Sequence, residues 1–147
     1  MPRRVEVTMT IGVPRERVFD AWLRPDCMAR FLAAGDSHAS TVDVDPRVGG
    51  AFRIVMASAR GSHDHCGRYL EIDRPARLRF TWASPATNGA ETEVTVTFDA
   101  TAEGTRITLV HDGLAEAVAV DRHERGWRSI LVKCHDALER PPAEPRS

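Results

Sequence analysis

His111 ends the phrase Ile107-Thr108-Leu109-Val110-His111, in which apolar and polar residues alternate. That period of two puts its imidazole on the apolar face of a strand. A group titrating near neutral pH can there orient a ligand, act as a general base, or satisfy a hydrogen bond inside the core. His63 and His65 are also two apart, and Cys66 follows the second. Such a pair on one strand face is a partial donor set for a metal ion, with His111 or Cys134 as a conceivable third ligand. The competing reading is a pair of solvated histidines beside a turn, since Asp64 lies between them, and no metal is assigned. His123 precedes Trp127 by four residues and shares its side of a helix, while His135 lies eight residues beyond Trp127. Trp127 is expected to meet Trp82 and Phe52, as the wall of a pocket or as ordinary core.

Other chemistries are excluded by their missing parts. Gly49-Gly50 has no strand, loop and helix around it of the kind phosphate binding needs, and neither a nucleophile elbow nor paired carboxylates occur. No catalytic residue and no cofactor is expected. Twenty Lys and Arg against twenty-one Asp and Glu give a net charge of −1, so nothing in the totals favours nucleic acid. No run approaches the eighteen or so apolar residues of a membrane span, and no membrane association is expected. The first residues alternate instead of forming the apolar core of a signal peptide. Cys27, Cys66 and Cys134 are odd in number and lack a Cys-x-x-Cys pair, which predicts a reducing, cytoplasmic setting.

The elements that must position these residues are legible as changes of period. Val5, Val7, Met9 and Ile11 predict a first strand. Pro14 to Leu23 reads as a short helix, and Asp26 as the cap of a second one ending near Gly35. Six strands then follow: 41–45, 51–57, 65–73, 77–83, 91–99 and 105–110, separated by turn residues such as Asp45-Pro46, Arg74-Pro75 and Asn88-Gly89. Alternation places Phe52, Ile54, Met56, Leu70, Ile72, Leu78, Phe80, Trp82, Val94, Val96, Phe98, Ile107, Leu109 and His111 on one face and Arg, Glu and Thr on the other. Tyr69 falls between the inward positions and points out unless a bulge at Gly67 turns it in. Trp127, Ile130, Leu131, Cys134 and Leu138 predict an amphipathic helix over 121–140, opened by an Asp121/Glu124 capping box and stopped by Pro141-Pro142. Gly126 is out of place inside it and suggests a close backbone approach to the sheet or a ligand. Residues 1–140 are expected to form one domain and 141–147 a disordered tail. The only partner large enough for the helix stripe is the apolar face of the sheet, an α+β arrangement in which a twisted seven-stranded antiparallel sheet wraps a long C-terminal helix.

This order of elements resembles the START-like, helix-grip architecture of the SRPBCC superfamily. Val13-Pro14-Arg15-Glu16-Arg17-Val18-Phe19-Asp20-Ala21-Trp22, Val48-Gly49-Gly50-Ala51-Phe52, Gly67-Arg68-Tyr69-Leu70-Glu71-Ile72 with Arg77 to Trp82, Thr108-Leu109-Val110-His111-Asp112-Gly113-Leu114 and Gly126-Trp127 are similar to the family of activator of heat-shock-protein ATPase homologues. The resemblance runs from about Val5 to Leu138.

A sheet wrapped around one helix leaves a concave space suited to a small apolar ligand. The expected function is binding of a small hydrophobic or aromatic molecule, with Phe52, Ile54, Met56, His65, Trp82, Trp127 and Ile130 as lining and His111 as a polar handle. Two alternatives follow from the resemblance: a cyclase- or dehydratase-like enzyme moving a proton through His111 or His65, and stress-related, co-chaperone-like partner binding through the outer sheet face or the small helices. The outer face carries so many Arg and Thr residues that it offers no large apolar patch, so a monomer or weak homodimer is expected.

Overall fold

A computed structural model describes residues 3–139; the expected tail over 141–147 lies outside the described residues. The alternation at Val5, Val7 and Ile11 forms β1 (Arg3–Ile11), with these three residues buried. Pro14, whose fixed φ suits a helix entry, precedes α1 (Arg15–Ala21). Then come α2 (Pro25–Phe31), β2 (His38–Val44), β3 (Ala51–Ser58), β4 (Gly61–Asp73), β5 (Arg77–Trp82), β6 (Thr92–Thr101), β7 (Gly104–Leu114) and α3 (Ala117–Glu139). All seven strands form one sheet in the order β1-β7-β6-β5-β4-β3-β2, and every pairing is antiparallel. This is the helix-grip arrangement: a curved open sheet, a long C-terminal helix and two short helices after the first strand.

The stripe His123, Trp127, Ile130, Leu131 and Cys134 is the buried side of α3. It faces the apolar side of the sheet, where Leu78, Val94, Val96, Phe98, Ile107, Leu109 and His111 are fully enclosed. α1 and the residue after it add Phe19 and Trp22, which meet Phe98 at ring centroid distances of 5.3 and 6.3 Å. The opposite side of the sheet is wet, and its charges pair across strands, as Arg79 does with Glu93 and Glu71.

Three local expectations are corrected. Helix α3 begins at Ala117, four residues ahead of the expected start, so Asp121 and Glu124 form no capping box. They instead accept from Arg125 and Arg128, one turn onward, at 2.8 and 3.0 Å on the solvent side. In α2 the cap position is Arg24 with Pro25 next, which leaves Asp26 inside the first turn, where a carboxylate suits the helix dipole. In β4 the outcome for Leu70 is reversed: it is exposed, and Tyr69 is buried. The register against β5 slips between Tyr69 and Glu71, so the bulge sits at Leu70 and not at Gly67, adds one residue and switches the inward parity. Ile72 therefore stays on the core side while Tyr69, Gly67 and His65 join it from the other parity.

Two glycines mark the places where backbones come closest. A Cβ on Gly67 would lie 1.9 Å from the Thr81 carbonyl oxygen and 2.7 Å from Phe52 Cζ, so no side chain fits. On α3, a Cβ on Gly126 would lie 3.3 Å from Ala34 Cβ, which lets the helix pass close to the segment leaving α2. Ser129 reinforces that contact by accepting from the Gly35 N–H at 2.8 Å, and Lys133 donates to the carbonyls of Ala33 and Ser37.

Candidate functional site

Strand β7 delivers His111 into the centre of the helix–sheet interface, where it is fully buried. Trp127 Nε1, which can only donate, points at His111 Nδ1 at 2.9 Å. That bond requires a bare Nδ1 and puts the proton on Nε2, which donates to Thr92 Oγ1 at 2.6 Å. The Thr92 hydroxyl passes its own hydrogen to the Trp82 carbonyl at 2.6 Å. The chain links α3, β7, β6 and β5 and leaves neither ring nitrogen free. Burial, reinforced by His123 packed edge-on at 4.8 Å, pushes the imidazole pKa down to about 3. His111 is thus neutral and hydrogen-bonded on both sides.

Beside this closed centre the interface opens. A cleft of about 100 Å³ lies between α3 and the ends of β3, β4 and β5. Met56, His65 and Trp82 come from the sheet, His123, Gly126, Trp127 and Ile130 from the helix, and Ala34, Ala86 and Arg122 complete the rim. The sequence builds it simply. Alternation on β3 and β5 turns Met56 and Trp82 inward, the bulge at Leu70 sets His65 on that same face, and the four-residue step on α3 stacks His123 over Trp127. Trp82 and Trp127 stand 4.8 Å apart between ring centroids, and the His65 ring lies 5.2 Å from that of Trp82. Deeper in, Trp82 also borders a second space of only about 10 Å³ among Trp22, Met28, Leu32, Phe52, Ile54, Tyr69 and Phe80, with room for one water at most.

Both cleft histidines are held in one tautomer. His123 Nδ1 donates to the Ala119 carbonyl one turn back at 2.7 Å, and His65 Nδ1 donates to the His63 carbonyl at 3.2 Å. Desolvation lowers the pKa of each, so both are neutral near pH 7. Among the described residues no group of three His, Cys, Asp or Glu side chains is gathered as a metal ion would require.

The match to a known family decides what this architecture is. The family model for the activator of Hsp90 ATPase homolog 1-like protein matches residues 12–139. The chain belongs to that family. Solved structures share the fold. A protein of Chromobacterium violaceum is 24% identical, with a TM-score of 0.86 over 94% of this chain and 98% of its own. A protein of Aeromonas hydrophila described as AHSA1-like is 29% identical, with a TM-score of 0.78 over 93% and 92% of the two chains. CalU16 from Micromonospora echinospora shares the fold at 20% identity and a TM-score of 0.73, over 93% of this chain and 76% of its own. Among curated proteins none matches the chain.

Within this member of the Hsp90-activator-like family, the residues expected to line a pocket fall into three groups. Met56, His65, Trp82, Trp127 and Ile130 come together at the cleft. Phe52 and Ile54 lie behind Trp82 around the small inner space. His111 borders neither space and meets the cleft residues from behind, through its bond to Trp127, its edge-on packing on His123 and the Thr92 link to Trp82. His63 and Cys66 are exposed, and His135 turns away from the cleft to bond Glu139 and Asp136. Ala34, Ala86 and Arg122 escaped the sequence reading. Ala34 and Ala86 sit outside the long elements, in a segment after α2 and in a 3₁₀ turn at Pro85–Thr87, where no period announces a facing direction. Arg122 is exposed and next to a buried histidine, and only its neighbour carried a helical-face signal.

Proposed function

We propose that this protein binds a small hydrophobic or aromatic molecule in the cleft between α3 and the β3–β5 end of the sheet. The observation that carries the reading is the apolar wall of Met56, Trp82, Trp127 and Ile130, open at one side and rimmed by two neutral histidines. Interiors pack closely, so a space lined by two indoles and left open is a departure that a ligand would use. At about 100 Å³ the cleft takes one ring or the end of a chain, with the rest of a larger molecule outside. Cys27, Cys66 and Cys134 are free, in keeping with a cytoplasmic protein, acting as a monomer or weak homodimer. An enzymatic version of the reading has to use His65 or His123 as its proton carrier, since both nitrogens of His111 are engaged inside the protein.

The test is native mass spectrometry of freshly purified protein against its denatured mass, followed by tryptophan fluorescence titration with aromatic and short-chain apolar compounds. The expected result is a bound mass or a saturable change in emission from Trp82 and Trp127, lost when Ala86→Trp fills the rim. A binding signal that Ala86→Trp leaves intact, or none with any compound, overturns the cleft as the site.

A further inference from the structure

The cleft has an uneven polar character. His123 and His65 each spend their ring N–H on a backbone carbonyl of their own element, His123 one helical turn back and His65 two residues back along β4. A neutral imidazole with its proton on Nδ1 keeps a lone pair on Nε2. Neither Nε2 makes a hydrogen bond of normal length and angle among the described residues, although the Ile54 backbone, like that of His63, lies against the His65 ring. Neither is sealed off: among the described residues the histidine nitrogens are not among the enclosed side-chain polar atoms that lack a partner. Since both residues line one cleft, from opposite walls, the open space between helix and sheet is bordered by two acceptors whose hydrogen must come from outside the protein.

We propose that the molecule held in this cleft is a hydrogen-bond donor, an aromatic body carrying hydroxyl or N–H groups that are read by Nε2 of His65 and His123. The inference rests on the cleft being a binding site and adds the chemical class of its ligand. Acceptors open to solvent are met by water until a ligand displaces it. An apolar molecule that displaces this water leaves both lone pairs unmatched, whereas a phenol replaces what it removes. The indole faces of Trp82 and Trp127 suit a flat ring, and the 4.8 Å between their centroids brings both to the same cavity. The two histidines respond to different parts of the fold. His123 is locked by the helix ladder, and His65 by the strand on which the bulge at Leu70 turned it inward.

A matched pair of probes tests this: 4-ethylphenol and its methyl ether 4-ethylanisole, each titrated by isothermal calorimetry and tryptophan emission into the wild type, His65→Phe and His123→Phe. The two compounds have nearly the same apolar surface and differ in the donor. The expected result is that the phenol binds the wild type about ten-fold more tightly than the ether or better. The advantage shrinks toward one in at least one Phe variant, while the ether binds that variant no worse. Circular dichroism verifies folding, and the wild-type comparison stands without either variant. Equal binding of phenol and ether to the wild type, or an advantage that survives in both variants, overturns the donor inference and leaves the cleft as an apolar site. Absence of binding by both probes up to about 1 mM overturns the cleft reading and this inference with it.

Discussion

The contact between α3 and the sheet has two halves built by the same rules to different ends. Toward β1, β6 and β7 it is sealed: Phe98, Ile107, Leu109, Leu131 and His111 have no exposed surface. Its polar groups are matched internally, as in the Trp127–His111–Thr92–Trp82 chain or the Thr105 hydroxyl donating to the Val13 carbonyl at 2.6 Å. Toward β3, β4 and β5 the aromatic content is as high, with Phe52, Tyr69, Phe80 and Trp82 in mutual contact. There, however, the helix lacks a side chain at Gly126 and a cleft remains, lined by two histidines. The difference teaches that a histidine's availability is set by the partners its neighbours supply, together with its burial. His111 is the most buried and the least free, whereas the half-buried His65 and the cleft-lining His123 keep a lone pair open.

The strongest way to break this contrast is acid. The folded His111 pKa is near 3 against 6.5 for an unconstrained histidine, so between those values the unfolded chain binds a proton that the folded one refuses. Stability contributed by the neutral imidazole is intact above pH 6.5 and falls by about 1.4 kcal/mol per pH unit below it. Urea unfolding at pH 7 and pH 4.5 is expected to differ by roughly 3 kcal/mol from this group alone, with His65 and His123 acting in the same direction. A flat profile over that window would remove the sealed character assigned to His111.

Truncation of the same residue comes next. His111→Ala leaves the Trp127 indole N–H without an acceptor and opens a cavity, which costs about 3 kcal/mol at pH 7 by chemical denaturation. It also flattens the acid profile, an outcome that a purely steric role would not produce. Gly67→Ala probes the open half through its backbone. A methyl placed 1.9 Å from the Thr81 oxygen forces β4 away from β5 and is expected to cost about 2 kcal/mol and to disturb Trp82 emission. The smallest effect on stability belongs to Ala86→Trp, within about 0.5 kcal/mol because the residue lies on the rim. Its effect on ligand affinity is expected to exceed ten-fold, so the two halves separate into one that sets stability and one that sets binding.

The arrangement of strands and helices was legible because it rests on local periods. Val94, Val96 and Phe98 read as a core face from spacing alone and are fully buried. Trp127, Ile130, Leu131 and Cys134 likewise read as the inner stripe of a helix. The errors came where a local signal had two structural meanings. Asp121 and Glu124 carry the spacing of a capping box, yet the same acidic spacing serves i to i+4 pairs once the helix begins at Ala117. Leu70 follows the alternation of β4, but a single inserted residue inverts that alternation, and nothing in the side chains of Gly67 to Glu71 states which residue is the extra one. For the cleft, Met56, His65, Trp82, Trp127 and Ile130 are legible from residue type, strand alternation and helical spacing, while Ala34, Ala86 and Arg122 depend on where separate segments meet.

By itself the amino-acid sequence determined the element order, the inward faces outside the first part of β4, and the family, since period, turn residues and motif phrases are properties of neighbours along the chain. Tertiary structure alone decided which histidine is spent and which is open. His111 finds its partners 16 and 19 residues away on other elements, and those bonds choose its tautomer. It also decided that the space between helix and sheet narrows to about 10 Å³ inside and widens to about 100 Å³ at the edge. Cavity size is the small remainder after large side chains from five or more segments interlock, and no segment carries that remainder in its own spacing.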